Sequence, residues 1–191
     1  RGRGKFARAR TFATGLNPRS LRAADVNGDG RLDLLTANLL SQTVSVFLGT
    51  GRGSFLPRLD EPMCESCRPL SIEPGDFNRD SHVDIAVVFA GSNQVATLVG
   101  RGNGTFDFVD LAVVVRDDPQ WLASGDFTRD GNVDLATANI DFVSVSTLHG
   151  NGDGTFNAGP EYATGASGLH LAVADVNGDA LLDLAVVNMD L

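Results

Sequence analysis

Four stretches of the chain repeat the pattern Asp-x-[Asn/Thr]-x-Asp-x-x-x-Asp followed by Leu or Ile, starting at Asp25, Asp76, Asp126 and Asp175. Carboxylates and amides at this spacing suit a hard cation. Calcium takes about six to eight oxygen ligands in a tolerant geometry. In the first loop, positions one, three, five and nine supply Asp25, Asn27, Asp29 and Asp33, and Arg31 at position seven supplies its main-chain carbonyl. The second offers Asp76, Asn78, Asp80 and Asp84 with the carbonyl of His82. The third offers Asp126, Thr128, Asp130 and Asp134 with Asn132, and the fourth Asp175, Asn177, Asp179 and Asp183 with Leu181. The expected cofactor is Ca2+, up to four ions. The pattern is not an EF-hand, which needs a Glu at position twelve and flanking helices; position twelve of the first loop is Thr36. Metal-free Asx turns are the alternative.

The loops are unequal. Gly30 at position six of the first loop permits a sharp turn, whereas Ser81 and Ala180 replace glycine there. Thr128 is a weaker ligand than Asn. The first loop is therefore expected to hold metal most tightly. Twelve of the 24 acidic residues lie in these loops, and four divalent cations would bring the formal charge of −9 to −1. The acidity reads as metal-site charge.

The elements that position the loops follow from a repeat. The Asp series is spaced by 51, 50 and 49 residues. A second series, Gly-x-Gly-x-Phe, ends at Phe6, Phe55, Phe106 and Phe156, spaced by 49, 51 and 50. Two motifs keeping one period mark an internal repeat. Each unit reads as four short strands; in the second these are 70–73, 83–89, 95–99 and 106–115. No helical period is sustained. Small residues precede the Asp loops (Ala24, Gly75, Gly125, Ala174), which suits innermost strands crowded around an axis. The expected fold is all-β, a single domain of β-propeller blades. The units run 21–69, 70–119 and 120–168, with partial units at 1–20 and 169–191. That makes three complete four-stranded blades and a split fourth. A turn at Gly2–Phe6 and an outer strand near Phe12 open the chain; two inner strands close it. With no initiator Met or signal-peptide pattern, the chain reads as a segment of a larger propeller or as a strand-exchanged assembly. A β-sandwich is also all-β but requires no fixed period.

These motifs resemble the FG-GAP/VCBS repeats of the integrin-α-type calcium-binding β-propeller, over nearly the whole chain. The resemblance implies that each Asp loop joins the two inner strands of a blade and binds calcium on the lower face, at the loop positions given above. The Phe-Gly and Gly-Ala-Pro elements of the family are partly kept, and the Gly-x-Gly-x-Phe turn looks more like its microbial secreted branch. Family functions include adhesion and glycan binding, and some members are domains attached to enzymes.

Cys64 and Cys67, in Cys-Glu-Ser-Cys, lack the histidine partners a zinc site needs. A loop-stapling disulfide is expected, implying an oxidising compartment; a reduced pair is the alternative. The basic start, Arg1 to Arg10, aligns with the turn at Gly51–Phe55, so no nucleic-acid partner is expected. Asn103-Gly-Thr105 fits both a glycosylation acceptor and ordinary turn chemistry. No apolar run is long enough to span a bilayer. Of His82, His149 and His170, only His170 starts an inner strand near the central opening. Glu161 and Asp117-Asp118 do not make an acid/base pair, and no nucleophile elbow is present, so no enzyme activity is expected.

The loops opposite the Asp loops vary between units: 17–20, 61–69, 117–121 and 165–170, with 38–43, 90–94 and 139–142. Variable loops on a constant frame commonly carry function. Trp121 and Tyr162 are the aromatic residues beyond Phe. The expected function is an extracellular or cell-surface binding and adhesion scaffold, calcium-stabilised, recognising protein or glycan on that face. The alternatives are a subunit assembling head-to-tail into oligomers or filaments through its split blade, and a non-catalytic propeller domain of a secreted enzyme.

Overall fold

A computed structural model describes residues 8–64, 67–115 and 118–189. Its strands form antiparallel sheets. The first comprises β1 (Pro18–Ala24), β2 (Asp33–Asn38), β3 (Thr43–Phe47) and β4 (Leu59–Pro62). The second comprises β5 (Pro69–Gly75), β6 (Asp84–Phe89), β7 (Gln94–Gly100) and β8 (Phe106–Val114). The third comprises β9 (Pro119–Gly125), β10 (Asp134–Asn139), β11 (Ser144–Gly150) and β12 (Phe156–Ala163). The fourth has two strands, β13 (Ser167–Ala174) and β14 (Asp183–Met189). Strands lie in chain order within every sheet. Among the described residues the structure is all-β, with three four-stranded propeller blades and a half-blade.

The second and third strands of the blades are buried along nearly their whole length, polar residues included. A blade is covered on both faces by its neighbours, so side chains of both parities are buried. All six residues of β6 are buried, as are all six of β10. Outer strands keep solvent on one side, and β12 is mostly exposed. Three apolar layers fill the gaps between blades. Leu35, Val46, Ile72 and Ile85 join the first to the second. Val88, Leu122, Leu135 and Leu148 join the second to the third. Ala136, Val145 and Leu171 join the third to the half-blade. The repeated turn phenylalanine enters these layers: Phe106 in the first, and Phe156 in the second, edge-on to Phe77 at 5.5 Å.

Inner strands are crowded as expected. A Cβ on Gly125 would lie 2.6 Å from Leu182 and 3.1 Å from Phe127. Buried hydroxyls also tie blade to blade. Ser20 Oγ accepts the Ile72 N–H at 3.1 Å, and Ser71 Oγ accepts the Leu122 N–H at 3.3 Å.

The N-terminal expectation needs correction. Residues 8–14 form no strand. Phe12 instead packs edge-on against Phe55 at 5.0 Å, and Arg10 donates to the Gly53 carbonyl at 2.8 Å. A run in which Arg alternates with Ala has little apolar side chain to hold a sheet edge. The turn at Gly2–Phe6 lies outside the described residues, as do Glu65, Ser66 and Asp117 of the variable loops. Cys64 and Cys67 are a disulfide-bonded pair, with Cα atoms 5.1 Å apart. Among the described residues no helix is long and apolar enough to cross a membrane.

Candidate functional site

Each Asp loop is a backbone knot tied by its own side chains. In the first, Asp25 accepts the N–H groups of Asp29 (3.1 Å) and Gly30 (2.7 Å). Asn27 Oδ1 also accepts from Asp29, and Asp29 Oδ1 accepts from Arg31 at 2.9 Å. The second loop repeats this with Asp76 on Asp80 and Ser81, Asn78 on Asp80, and Asp80 on His82. The third has Asp126 on Asp130 and Gly131, and Asp130 on Asn132. The fourth has Asp175 on Gly178, Asp179 and Ala180, Asn177 on Asp179, and Asp179 on Leu181. In the third loop Thr128 differs from its Asn counterparts: its side chain bonds the Asp130 carboxylate. Position seven thus engages through its amide, leaving the carbonyls of Arg31, His82, Asn132 and Leu181 for another partner.

The backbone turns left-handed at position six in all four loops: Gly30 (φ 79°), Ser81 (68°), Gly131 (84°) and Ala180 (64°). It does so at position four as well: Gly28 (70°), Arg79 (62°), Arg129 (60°) and Gly178 (81°). The first loop alone has glycine at both. Residues with a Cβ pay for this conformation. Ser81→Gly is therefore expected to stabilise the chain by about 0.5–1 kcal/mol, after the entropy cost of glycine. Urea unfolding checks it; an unchanged or lower midpoint contradicts it.

Position nine does a second job. Asp33 Oδ2 accepts the Val26 N–H at 3.0 Å, and Oδ1 accepts the Gly49 N–H at 2.6 Å. Asp84 does the same with Phe77 (3.0 Å) and Gly100 (2.8 Å), and Asp134 with Phe127 and Gly150, both at 2.9 Å. All three are fully buried. Each clamps the Asp loop to a glycine at the end of the third strand (Gly100, Gly150) or two residues past it (Gly49). That glycine is required by contact: a Cβ on Gly49, Gly100 or Gly150 would strike the carbonyl of Leu32, Val83 or Val133. Asp183 bonds the Val176 N–H at 3.0 Å.

Electrostatics separates Asp84 from three of the loop carboxylates. The amide of His82 holds Asp80 below the ordinary carboxylate range, that of Asn132 does so for Asp130, and that of Ala180 for Asp175. Their stabilising contribution is present above pH 3.8 and lost as pH falls through the lowered pKa. Burial pushes Asp84 up, against the pull of the Gly100 and Phe77 amides, and the charges of Asp80 and Asp76 push it further. Its contribution has the opposite sign: it is present below pH 3.8 and lost as pH rises through the raised pKa.

Do the loops fit calcium? The donors are hard oxygens, and each amide-bonded carboxylate oxygen retains a second lone pair. As placed, the side chains bond their own loop. Asp29 Oδ2 meets Arg31, Asp80 Oδ2 meets Asn78, and Asp130 Oδ2 meets Asn132. Among the described residues no three Asp, Glu, His or Cys side chains gather into a metal cage. The donor chemistry fits; closing on an ion requires those side chains to turn inward on an already knotted backbone.

At the opposite end the frame is constant and the side chains are not. Each inner strand carries a bulge at its second or third residue. Pairing passes from Pro18 to Ser20, from Pro69 to Ser71, from Pro119 to Trp121 and from Gly168 to His170. The extra residues are Arg19, Leu70, Gln120 and Leu169. All four line one hollow of roughly 240 Å³ with Trp121 and His170. The Trp121 and His170 rings stack at 3.5 Å in the wall of this hollow. Arg22 lies 4.6 Å from the Trp121 ring and is paired with Glu73 at 2.6 Å. Sequence reasoning singled out Trp121 and His170 separately; no motif signalled their contact. Tyr162 is elsewhere, exposed beside a hollow between the third blade and the half-blade.

On the same rim, Asp118 is left-handed (φ 55°) and accepts a bond from Gln120 at 2.8 Å. Burial and the neighbouring Asp141 raise its pKa. Its contribution is thus present below pH 3.8 and lost as pH rises through the raised pKa. Asp118→Asn keeps the acceptor and removes the charge. It is expected to stabilise by less than about 1 kcal/mol at pH 7, because solvent screens the site, with no gain at pH 3. Melts at the two pH values check this; an equal gain at both contradicts it.

Comparison with known proteins follows this geometry. The FG-GAP-like repeat model matches residues 76–137 and 126–186. No curated protein matches. Among solved structures, BBS1N in complex with ARL6DN is similar at a TM-score of 0.59 and 14% identity, over 91% of this chain and 53% of that one. An Agrocybe aegerita lectin, described as recognising non-reducing terminal N-acetylglucosamine, is similar at a TM-score of 0.56 and 20% identity, over 88% of this chain and 46% of that one. At these identities the likeness concerns the fold. The chain spans about half the length of each.

Proposed function

The chain belongs to the FG-GAP-like repeat family of β-propellers, and on that premise we propose that it is a calcium-stabilised, extracellular binding scaffold that recognises protein or glycan on the face opposite its Asp loops. One observation carries the reading: the two ends of the inner strands are built on different rules. At one end, four loops repeat one hydrogen-bonding plan. At the other, four bulges repeat in backbone while presenting Arg19, Leu70, Gln120 and Leu169. A fixed frame with varied side chains at one end is how a rigid scaffold presents a binding surface. The glycan-binding lectin among the structural neighbours supports the same direction.

Calcium belongs to the proposal as the counter-charge of the Asp loops. When bound it supplies positive charge among carboxylates. Residues Asp25, Asn27, Asp29 and Asp33, with the Arg31 carbonyl, would hold it in the first loop, and their counterparts in the other three. The chain's own residues do the rest: Asx turns set the loop, and the position-nine carboxylate locks it to the third strand. The reading assigns the chain no reaction of its own. Glycan and secreted-protein arrays, probed in millimolar calcium and again in chelator, test it. Ligand capture that chelator abolishes is expected; no capture on either array contradicts the scaffold reading.

A second reading is assembly of copies. Among the described residues the first blade exposes Leu21 (57%) with Phe12 (43%) beside it, and the half-blade exposes Val187 (61%). Contacts between such unlike faces would be head-to-tail. Sedimentation across a hundredfold concentration range tests it; a constant monomer mass removes it.

A further inference from the structure

We infer that the axial hollow ringed by the four inner-strand bulges is a binding site for one uronic-acid residue of an acidic glycan. This deepens the scaffold reading and rests on it.

The argument starts from the bulges. A bulge leaves one residue out of the ladder and re-aims its side chain. Here four bulges at equivalent positions in three blades and the half-blade send Arg19, Leu70, Gln120 and Leu169 to one hollow. The residue after each bulge then breaks the pattern. In the first two blades it is serine, and its hydroxyl satisfies the next blade's amide. In the third blade and the half-blade it is Trp121 and His170, whose stacked rings wall the hollow instead.

The donors and acceptors that remain define a ligand. Arg19 is exposed and, among the described residues, has no hydrogen-bond or ion-pair partner. A lone guanidinium presents a planar fork that matches a carboxylate. Arg22, by contrast, is already neutralised by Glu73. Gln120 Nε2 is committed to Asp118, which leaves Oε1 to accept from a hydroxyl. The indole N–H of Trp121 has no acceptor among the described residues and can donate to one. Leu169 offers apolar surface, with the buried Leu70 behind it, and His170 an exposed ring. A uronic acid has each complement: a carboxylate, hydroxyls that donate and accept, and an apolar ring face. The small, side-chain-walled hollow favours a single sugar ring over an extended peptide.

The test uses the full chain in millimolar calcium with three probes: trigalacturonic acid, neutral galactotriose and a triglutamate peptide. Calorimetry should show trigalacturonic acid binding at least about tenfold more tightly than galactotriose, the worth of one charge-assisted hydrogen bond. Arg19→Gln should abolish that preference while leaving the melting temperature unchanged. His170→Ala should weaken both sugars together. Equal affinity for the two sugars overturns the inference, as does an Arg19→Gln variant that keeps the preference. Triglutamate bound as tightly as trigalacturonic acid overturns the glycan assignment. If none of the three binds, the inference fails, and the scaffold reading is decided separately by the arrays.

Discussion

Asp84→Ala is expected to cost about 3–5 kcal/mol of folding stability, measured by urea unfolding in chelator so that no metal contributes. The carboxylate takes two buried N–H groups, from Phe77 and Gly100. Each donor left without an acceptor costs about 1–3 kcal/mol, and the emptied space adds to that. Asp84→Asn retains one acceptor and should fall between the two. The half-blade supplies the control. Among the described residues Asp183 takes one amide, that of Val176, and it is not fully buried. Asp183→Ala should therefore cost only about 1 kcal/mol. Equal losses at the two positions would show that the clamp to the third strand contributes nothing.

Calcium should have the second large effect. Without it, twelve carboxylates share four short loops. Extracellular calcium modules bind at about 10⁻⁴–10⁻³ M. At 10 mM calcium and a Kd of about 10⁻⁴ M, each filled site stabilises the fold by roughly 2.7 kcal/mol. For a chain of this length, 1 kcal/mol moves the melting temperature by about 2–4 °C. Two or more filled sites should raise it by at least about 10 °C over chelator. Magnesium, which keeps its water and demands octahedral geometry, should reproduce little of the rise. A melt unchanged by calcium contradicts the proposal.

Much of this was legible in the sequence because repetition amplifies weak signals. One Asp loop or one Gly-x-Gly-x-Phe turn says little, but four of each on a common period imply stacked blades. The need for a left-handed residue at position six was legible because glycine stands there twice, at Gly30 and Gly131. The same need at position four left the same mark, Gly28 and Gly178, and was missed although Arg79 and Arg129 adopt it against their preference. The clamp from Asp84 to Gly100 was hidden for another reason. It joins residues sixteen apart through a backbone amide, and an amide leaves no mark on residue type. Its trace was the recurring glycine at Gly49, Gly100 and Gly150. Buried amides were also missed: Asn38 bonds Thr43 and Ser45, and Asn139 bonds Ser144 and Ser146. The repeated Thr-Ala-Asn at 36–38 and 137–139 was their signal. The bulges had none, since a bulge is a relation between two strands.

The claim that the Asp loops are calcium sites meets its most direct test in ¹H–¹⁵N spectra of the chelator-stripped chain during calcium titration. The amides of Gly30, Ser81, Gly131 and Ala180 each lie inside one loop and bond its first Asp. The account predicts saturable shifts at all four, with Gly30 moving at the lowest calcium concentration. Four amides that stay in place through 10 mM calcium would contradict it.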